Sequence, residues 1–135
     1  MKNDISAIGN ALVDTVFKVD HSLISELGLE IDQMTLSSAE EHAPIIDRLI
    51  ASGADTVSDC GGSATNSLVA AASFGAKCFH TCKVSDDQDG LRYLESLKEA
   101  GVGHKGNMAP ANTIPTGKCL ILVTPDAKRT MTTAL

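Results

Sequence analysis

The sequence predicts an α/β protein in which a layered sheet with helices carries a small β-sheet lid. Three observations support this. The apolar patterning runs strand, β insertion, helix, strand, helix, strand, helix, hairpin, an order that stacks helices on a sheet and sets a smaller sheet apart. Each helical segment is closed by a glycine, at Gly28, Gly53, Gly75 and Gly101. With 135 residues, 43% hydrophobic and 21% charged, the chain can build one modest core.

Composition excludes several function classes. The net charge is −6 and the basic residues are scattered, so there is no electrostatic footprint for nucleic acid. Aromatics make up 3% and Trp is absent, which argues against base-stacking platforms. The N-terminus lacks a signal-peptide core, and nowhere do about eighteen apolar residues follow one another, so a cytoplasmic protein without a membrane partner is expected. Cys60, Cys78, Cys82 and Cys119 form no Cys-x-x-Cys unit and have no His at zinc spacing. They read as reduced core thiols, and no metal site is expected.

Along the chain, Asp4 to Gly9 reads as a first strand ended by Gly9-Asn10. Asp14 then falls just past that strand's end, where open α/β sheets bind ligands. An ionised carboxylate there can accept hydrogen bonds from two neighbouring hydroxyls, although an Asp solvated in a turn would look the same. Thr15 to Val19 alternates as a second strand, Ser22 to Leu27 forms a short helix, and Leu29 to Leu36 is extended. This early insertion is the lid candidate.

Ser37 or Ser38 followed by Glu40 and Glu41 starts the next helix, with Pro44 in its first turns and Ile45, Ile46, Leu49 and Ile50 as its apolar face. Asp55 to Asp59 is a thinly apolar strand. An Ala-rich helix follows Ser63, apolar most of the way round, as if pressed between layers. Lys77 to Val84 is the next strand. The Ser85 to Gly90 segment holds Asp86, Asp87 and Asp89, which cap the helix carrying Leu91, Leu94 and Leu97 rather than matching a calcium loop. Lys118 to Thr124, Pro125-Asp126-Ala127 and Arg129 to Leu135 complete a hairpin.

The segment Cys60-Gly61-Gly62-Ser63-Ala64-Thr65-Asn66-Ser67 is the candidate binding element. Adjacent glycines let the main chain turn sharply and bring its N–H groups against a hydroxyl-rich molecule. Ser63 would cap the helix, whose first turn then offers free N–H groups and the Asn66 amide. The same residues also suit a tight strand-to-helix turn without a ligand.

With Gly9-Asn10-Ala11-Leu12-Val13-Asp14, Gly61-Gly62-Ser63-Ala64-Thr65-Asn66, Val84 to Gly90 and Thr116-Gly117-Lys118-Cys119-Leu120 in order, the chain resembles the ribokinase, or PfkB-type, sugar kinases. The Gly-Asn-x-Leu-x-Asp start and the Thr-Pro-Asp-Ala-x-Arg-Thr-Met hairpin are most similar to the adenosine kinase branch. The resemblance implies a partial ribokinase-like fold, with lid segments near 15–36 and 113–135 on a core near 1–14 and 37–112. It implies transfer of the ATP γ-phosphoryl to a hydroxymethyl group of a sugar or nucleoside. Asp14 would hold ribose hydroxyls, Gly61, Gly62 and Asn66 would bind the same sugar, and Asn10 would shape the first strand's end. Met34, Cys119 and Leu135 would cover the base or the sugar's apolar side.

Two departures from the family pattern stand out. Leu68 and Ser85 replace a small residue and a glycine of the glycine-loop signature. The family's Gly-Ala-Gly-Asp anion loop, catalytic aspartate and magnesium-positioning motif are absent from this sequence, and phosphoryl transfer depends on such parts. The expectation is an acceptor-binding N-terminal part with no catalytic residue of its own. It would be inactive alone, and the ATP and Mg²⁺ of the intact family enzyme would not bind it firmly. The alternative is a module that binds a ribosyl ligand without catalysis or self-associates, as a homodimer through its lid or an uncovered strand edge. A dinucleotide-binding reading fails because no Gly-x-Gly-x-x-Gly follows the first strand.

Overall fold

The computed structural model describes residues 2–105, 107–110 and 113–135. The elements in order are β1 (Ile5–Ile8), β2 (Leu12–Lys18), α1 (His21–Glu26), β3 (Met34–Ser37), α2 (Ala39–Ala51), β4 (Thr56–Gly61) and α3 (Ser63–Ser73). They continue with β5 (Cys78–Thr81), β6 (Lys83–Ser85), α4 (Gln88–Glu99), β7 (Gly103–His104), β8 (Asn107–Ala109), β9 (Gly117–Val123) and β10 (Arg129–Ala134). This is the mixed α/β pattern that the sequence predicts. The chain divides into two units, Met1–Val13 with Asp59–Gly117 and Asp14–Ser58 with Lys118–Leu135. Each has its own cluster of buried residues where composition alone suggests one core.

In the first unit β1, β5 and β7 form a parallel sheet, with Ile5 opposite Cys78 and Phe79 opposite Gly103. Parallel strands need crossover helices, and α3 and α4 pack against this unit's strands. Leu68 of α3 and Tyr93 and Leu97 of α4 meet Cys78, Val84 and Val102 in the core. At the end of β1, a Cβ on Gly9 would lie 2.7 Å from the Ala64 Cβ, so helix and strand approach more closely than two side chains allow. Tight packing of α3 is therefore local. The helix buries Thr65 and Leu68 while Ala70 is exposed, and the expectation of burial all round does not hold.

In the second unit the five-stranded sheet runs β3-β10-β9-β2-β4. The β9–β10 hairpin pairs Val123 with Arg129 and Lys118 with Ala134, and its turn places Ala127 at φ 62, where the Ala127 N–H donates to the Thr124 carbonyl at 2.8 Å. Strand alternation sends Phe17, Leu120 and Leu122 to the face packed with Leu23, Ile24 and Leu49 of α1 and α2. Each such fully buried side chain contributes about 1.5–3 kcal/mol relative to exposure. α2 begins with a capping box: Ser38 Oγ accepts from the Glu41 N–H at 3.2 Å, and Glu41 Oε2 accepts from the Ser38 N–H at 2.7 Å. Because this helix starts at Ala39, Pro44 lies in its second turn and removes one intrahelical bond.

Three boundaries and one buried helix face differ from expectation. β2 starts at Leu12, so Asp14 sits inside a strand and not in a turn. The extended stretch before α2 shortens to Met34–Ser37, because Asp32 adopts φ 67 and turns the chain. The strand expected over Lys77 to Val84 breaks at Cys82 into β5 and β6. On α4 the buried side is Gly90, Tyr93, Ser96 and Leu97, and Leu91 is 58% exposed. Among the described residues no helix is long and apolar enough to cross a membrane.

Candidate functional site

The glycine segment forms the junction between β4 and α3. Gly61 ends β4 and is buried, and Gly62 takes φ 96 and ψ 144 as the residue before the helix. A Cβ on Gly62 would meet the Asn10 carbonyl oxygen at 2.9 Å, so glycine is required by conformation and by space together. Thus Asn10, Gly61 and Gly62 converge in the first unit, and Asn66, exposed on the first turn of α3, donates its N–H to the Gly62 carbonyl at 2.9 Å. Ser63 is not the cap that the sequence suggests. It is the first helical residue, Gly62 precedes it, and no side chain caps the helix.

A buried polar chain fixes that uncapped helix, and sequence reasoning missed it. Thr65, His80 and Tyr93 are all fully buried. Thr65 Oγ1 lies 2.6 Å from Tyr93 Oη and 3.2 Å from His80 Nε2, while His80 Nδ1 lies 3.4 Å from the Ala7 carbonyl. A carbonyl can only accept, so Nδ1 carries the proton and Nε2 accepts from the Thr65 hydroxyl. The Tyr93 hydroxyl then donates to Thr65. Burial pushes the Tyr93 phenol above its ordinary range and holds His80 below its own, so both groups stay neutral. The sequence signal was a Tyr three residues past Gly90 and four before Leu97, on one face of the helix.

Beside it, Asp87 shows what the acidic segment does. Its Oδ1 accepts from the Gly90 N–H and the Thr116 hydroxyl, both at 2.7 Å, and its Oδ2 accepts from the Thr116 N–H at 2.8 Å. Asp87 is the α4 N-cap and Asp89 lies in the first turn, as the capping reading expects. Among the described residues no group of three or more His, Cys, Asp or Glu side chains could hold a metal ion.

In the second unit the predicted residues fall on the sheet face opposite α1 and α2. Asp14 has the parity opposite to Phe17, and Cys119 the parity opposite to Leu120, which places both on that face. Cys119 is buried, and its Sγ accepts from the Thr133 hydroxyl at 3.2 Å. Burial first, and then the Asp14 charge, push the Cys119 thiol above its ordinary range, against the lowering effect of the Thr133 hydroxyl.

Met34 shares this face and is 54% exposed, but it lies three strands from β2, about 14 Å away at ordinary strand spacing. Leu36, 66% exposed, is in line instead: it pairs with Thr133, which pairs with Cys119. Sequence reasoning missed Leu36, although its position two residues after Met34 was the signal. Leu135 is 63% exposed just past β10. A hollow bordered by Lys18, Asp20, Thr124 and Pro125 takes in none of the predicted site residues.

Under α2, on the other face, His42 Nε2 lies 3.2 Å from Thr132 Oγ1, and burial with the nearby Lys118 charge holds its pKa below 6.5. His80 is lowered from the same 6.5, chiefly by burial. An unfolded chain therefore binds these protons at a pH where the folded one does not. The histidine contribution to stability should be flat above about pH 7 and fall as pH drops below the unfolded value, by up to about 1.4 kcal/mol per pH unit per histidine. Denaturant midpoints from pH 8 to pH 5 check this, and a midpoint rising toward pH 5 would contradict it.

Fold and site together define a ribokinase-like α/β protein, in which helices accompany a three-stranded parallel sheet in one unit and a five-stranded mixed sheet in the other. The profile of the pfkB family carbohydrate kinases matches residues 29–135, and the chain belongs to that family. Among solved structures it is similar to a probable sugar kinase from Rhizobium etli CFN 42, at 27% identity and a TM-score of 0.86 over 98% of this chain and 39% of that one. It is also similar to the adenosine kinase of Sinorhizobium meliloti, at 32% identity and a TM-score of 0.82 over 100% of this chain and 40% of that one. The Anopheles gambiae adenosine kinase, solved in complex with di(adenosine-5) tetraphosphate, matches at 26% identity and a TM-score of 0.80, covering 96% and 40%. The chain thus spans about two fifths of the length of these relatives. No curated protein matches it.

Proposed function

We propose that this chain is the acceptor-binding part of an ATP-dependent sugar or nucleoside kinase, with an adenosine-like substrate favoured, acting in the cytoplasm. Asp14 holds the ribose hydroxyls. Gly61, Gly62 and Asn66 bind sugar hydroxyls through main-chain N–H groups and the Asn66 amide, and Asn10 shapes the turn that Gly62 leans on. Leu36, Met34 and Leu135, exposed on or just past the strands beside the buried Cys119, offer an apolar surface to the base. The observation that carries the reading is a carboxylate, Asp14, close enough to act on the Cys119 side chain on the sheet face opposite α1 and α2. A ribosyl ligand has the matching halves, vicinal hydroxyls and an apolar ring.

In this reading the phosphoryl acceptor is a hydroxymethyl group. ATP and Mg²⁺ belong to the intact family enzyme and are not held firmly by this chain, which carries no catalytic residue. Titration calorimetry with adenosine should show binding, and incubation with ATP and adenosine should yield no AMP. A clear rate of AMP formation by the purified chain would sink the claim of inertness.

A second reading, a self-associating module, draws on one observation. β3 is an edge strand of the five-stranded sheet and exposes Met34 and Leu36. An apolar, unpaired strand edge favours pairing with a second copy. Light scattering should then find mass rising with protein concentration, and a constant monomer mass would remove this reading.

A further inference from the structure

We infer that Thr65 is a positioning residue which, held by His80 and Tyr93, sets the first turn of α3 and through it the aim of Asn66. The inference rests on the proposed role of Asn66 in holding the sugar. A helix start is ordinarily fixed by its N-cap side chain, and α3 has none because Gly62 stands there. Its first turn is instead tied from within. Thr65, next to Asn66, is fully buried and spans His80 of β5 and Tyr93 of α4.

The chain of bonds has a single consistent direction. The Tyr93 hydroxyl donates to Thr65 Oγ1, the Thr65 hydroxyl donates to His80 Nε2, and His80 Nδ1–H donates to the Ala7 carbonyl of β1. The same relay therefore anchors β1, which leads to Asn10, and α3, which carries Asn66. Reversing it would aim the unprotonated Nδ1 lone pair at a carbonyl oxygen. A buried network satisfied in only one arrangement specifies one geometry.

Three readouts on the full chain test this. Nitrogen-15 NMR of the imidazole should find the His80 proton on Nδ1 at pH 7; a proton on Nε2 would overturn the assignment. Thr65→Val, close in shape but without the hydroxyl, should speed amide exchange at Asn66 and Ser67 about tenfold relative to Leu97 and Leu122, and Thr65→Ser should restore it. Exchange that rises equally across the molecule, or that Ser does not restore, would reduce Thr65 to a stability role and overturn the inference. Tyr93→Phe supplies the same test should Thr65→Val fail to fold.

Adenosine affinity should fall about tenfold in Thr65→Val and return in Thr65→Ser. Asn66→Ala separates the two claims, because it should lose adenosine binding without changing exchange at Ser67. If Asn66→Ala binds as wild type while Thr65→Val still loosens the turn, the ligand reading fails and the positioning of the helix start stands.

Discussion

Gly90→Ala should destabilise the protein by about 3–5 kcal/mol, seen as a large fall in the denaturant midpoint. A Cβ at this position would lie 2.1 Å from the Ser85 carbonyl oxygen, 2.9 Å from Thr116 Oγ1 and 3.2 Å from Asp87 Oδ1. The first of these contacts is to backbone, so no rotamer change relieves it. Something must move, and the parts nearest are the cap of α4 and the Asp87–Thr116 bonds. A lost helix cap costs about 1 kcal/mol, and each lost hydrogen bond to a carboxylate about 1.5–3 kcal/mol. Gly101→Ala is the control: nothing lies within 4 Å of its Cβ position, so only its φ of 73 is strained, at about 1–2 kcal/mol. Equal midpoint shifts for the two variants would contradict this account of Gly90.

What the sequence made legible was encoded within a few residues. The Ser38–Glu41 capping box, the glycine stops at Gly53, Gly75 and Gly101, the Asp87 cap and the Pro125-Asp126-Ala127 turn all depend on neighbours along the chain. The Gly61-Gly62 turn belongs with them, since a positive φ at Gly62 is a local demand. What escaped depends on distant partners. Thr65 bonds a residue 15 positions away and another 28 away, and neither spacing has a signature. The row from Leu36 through Thr133 to Cys119 exists only once β3, β10 and β9 are in register. Asp14 was expected just past the end of β1 because Gly9-Asn10 stops that strand, and the doubled apolar pairs Leu12-Val13 and Val16-Phe17 lack the simple alternation that marks β2.

That correction sharpens the proposed role of Asp14. A carboxylate held in a strand, half-buried and close enough to act on the Cys119 thiol, has less freedom than one in a solvated turn. Less orientation entropy is then lost when a ligand binds. Two ribose hydroxyls donating to one carboxylate are worth about 1.5–3 kcal/mol each in hydrogen bonds to a charged group, although each must first give up water. Removing the carboxylate should cost about 3 kcal/mol net, or about two orders of magnitude in affinity. The substitution exposes no core, so the fold should survive it. An adenosine analogue lacking both ring hydroxyls should bind wild type as weakly as adenosine binds the variant, because either change breaks the same pair of bonds.

The most direct measurement is titration calorimetry of adenosine against wild type and Asp14→Ala side by side, with denaturant midpoints recorded to show both are folded. The account predicts saturable binding by wild type and a loss of about a hundredfold in the variant. Equal affinity in the two folded proteins, or no binding of any ribosyl compound by wild type, would contradict it.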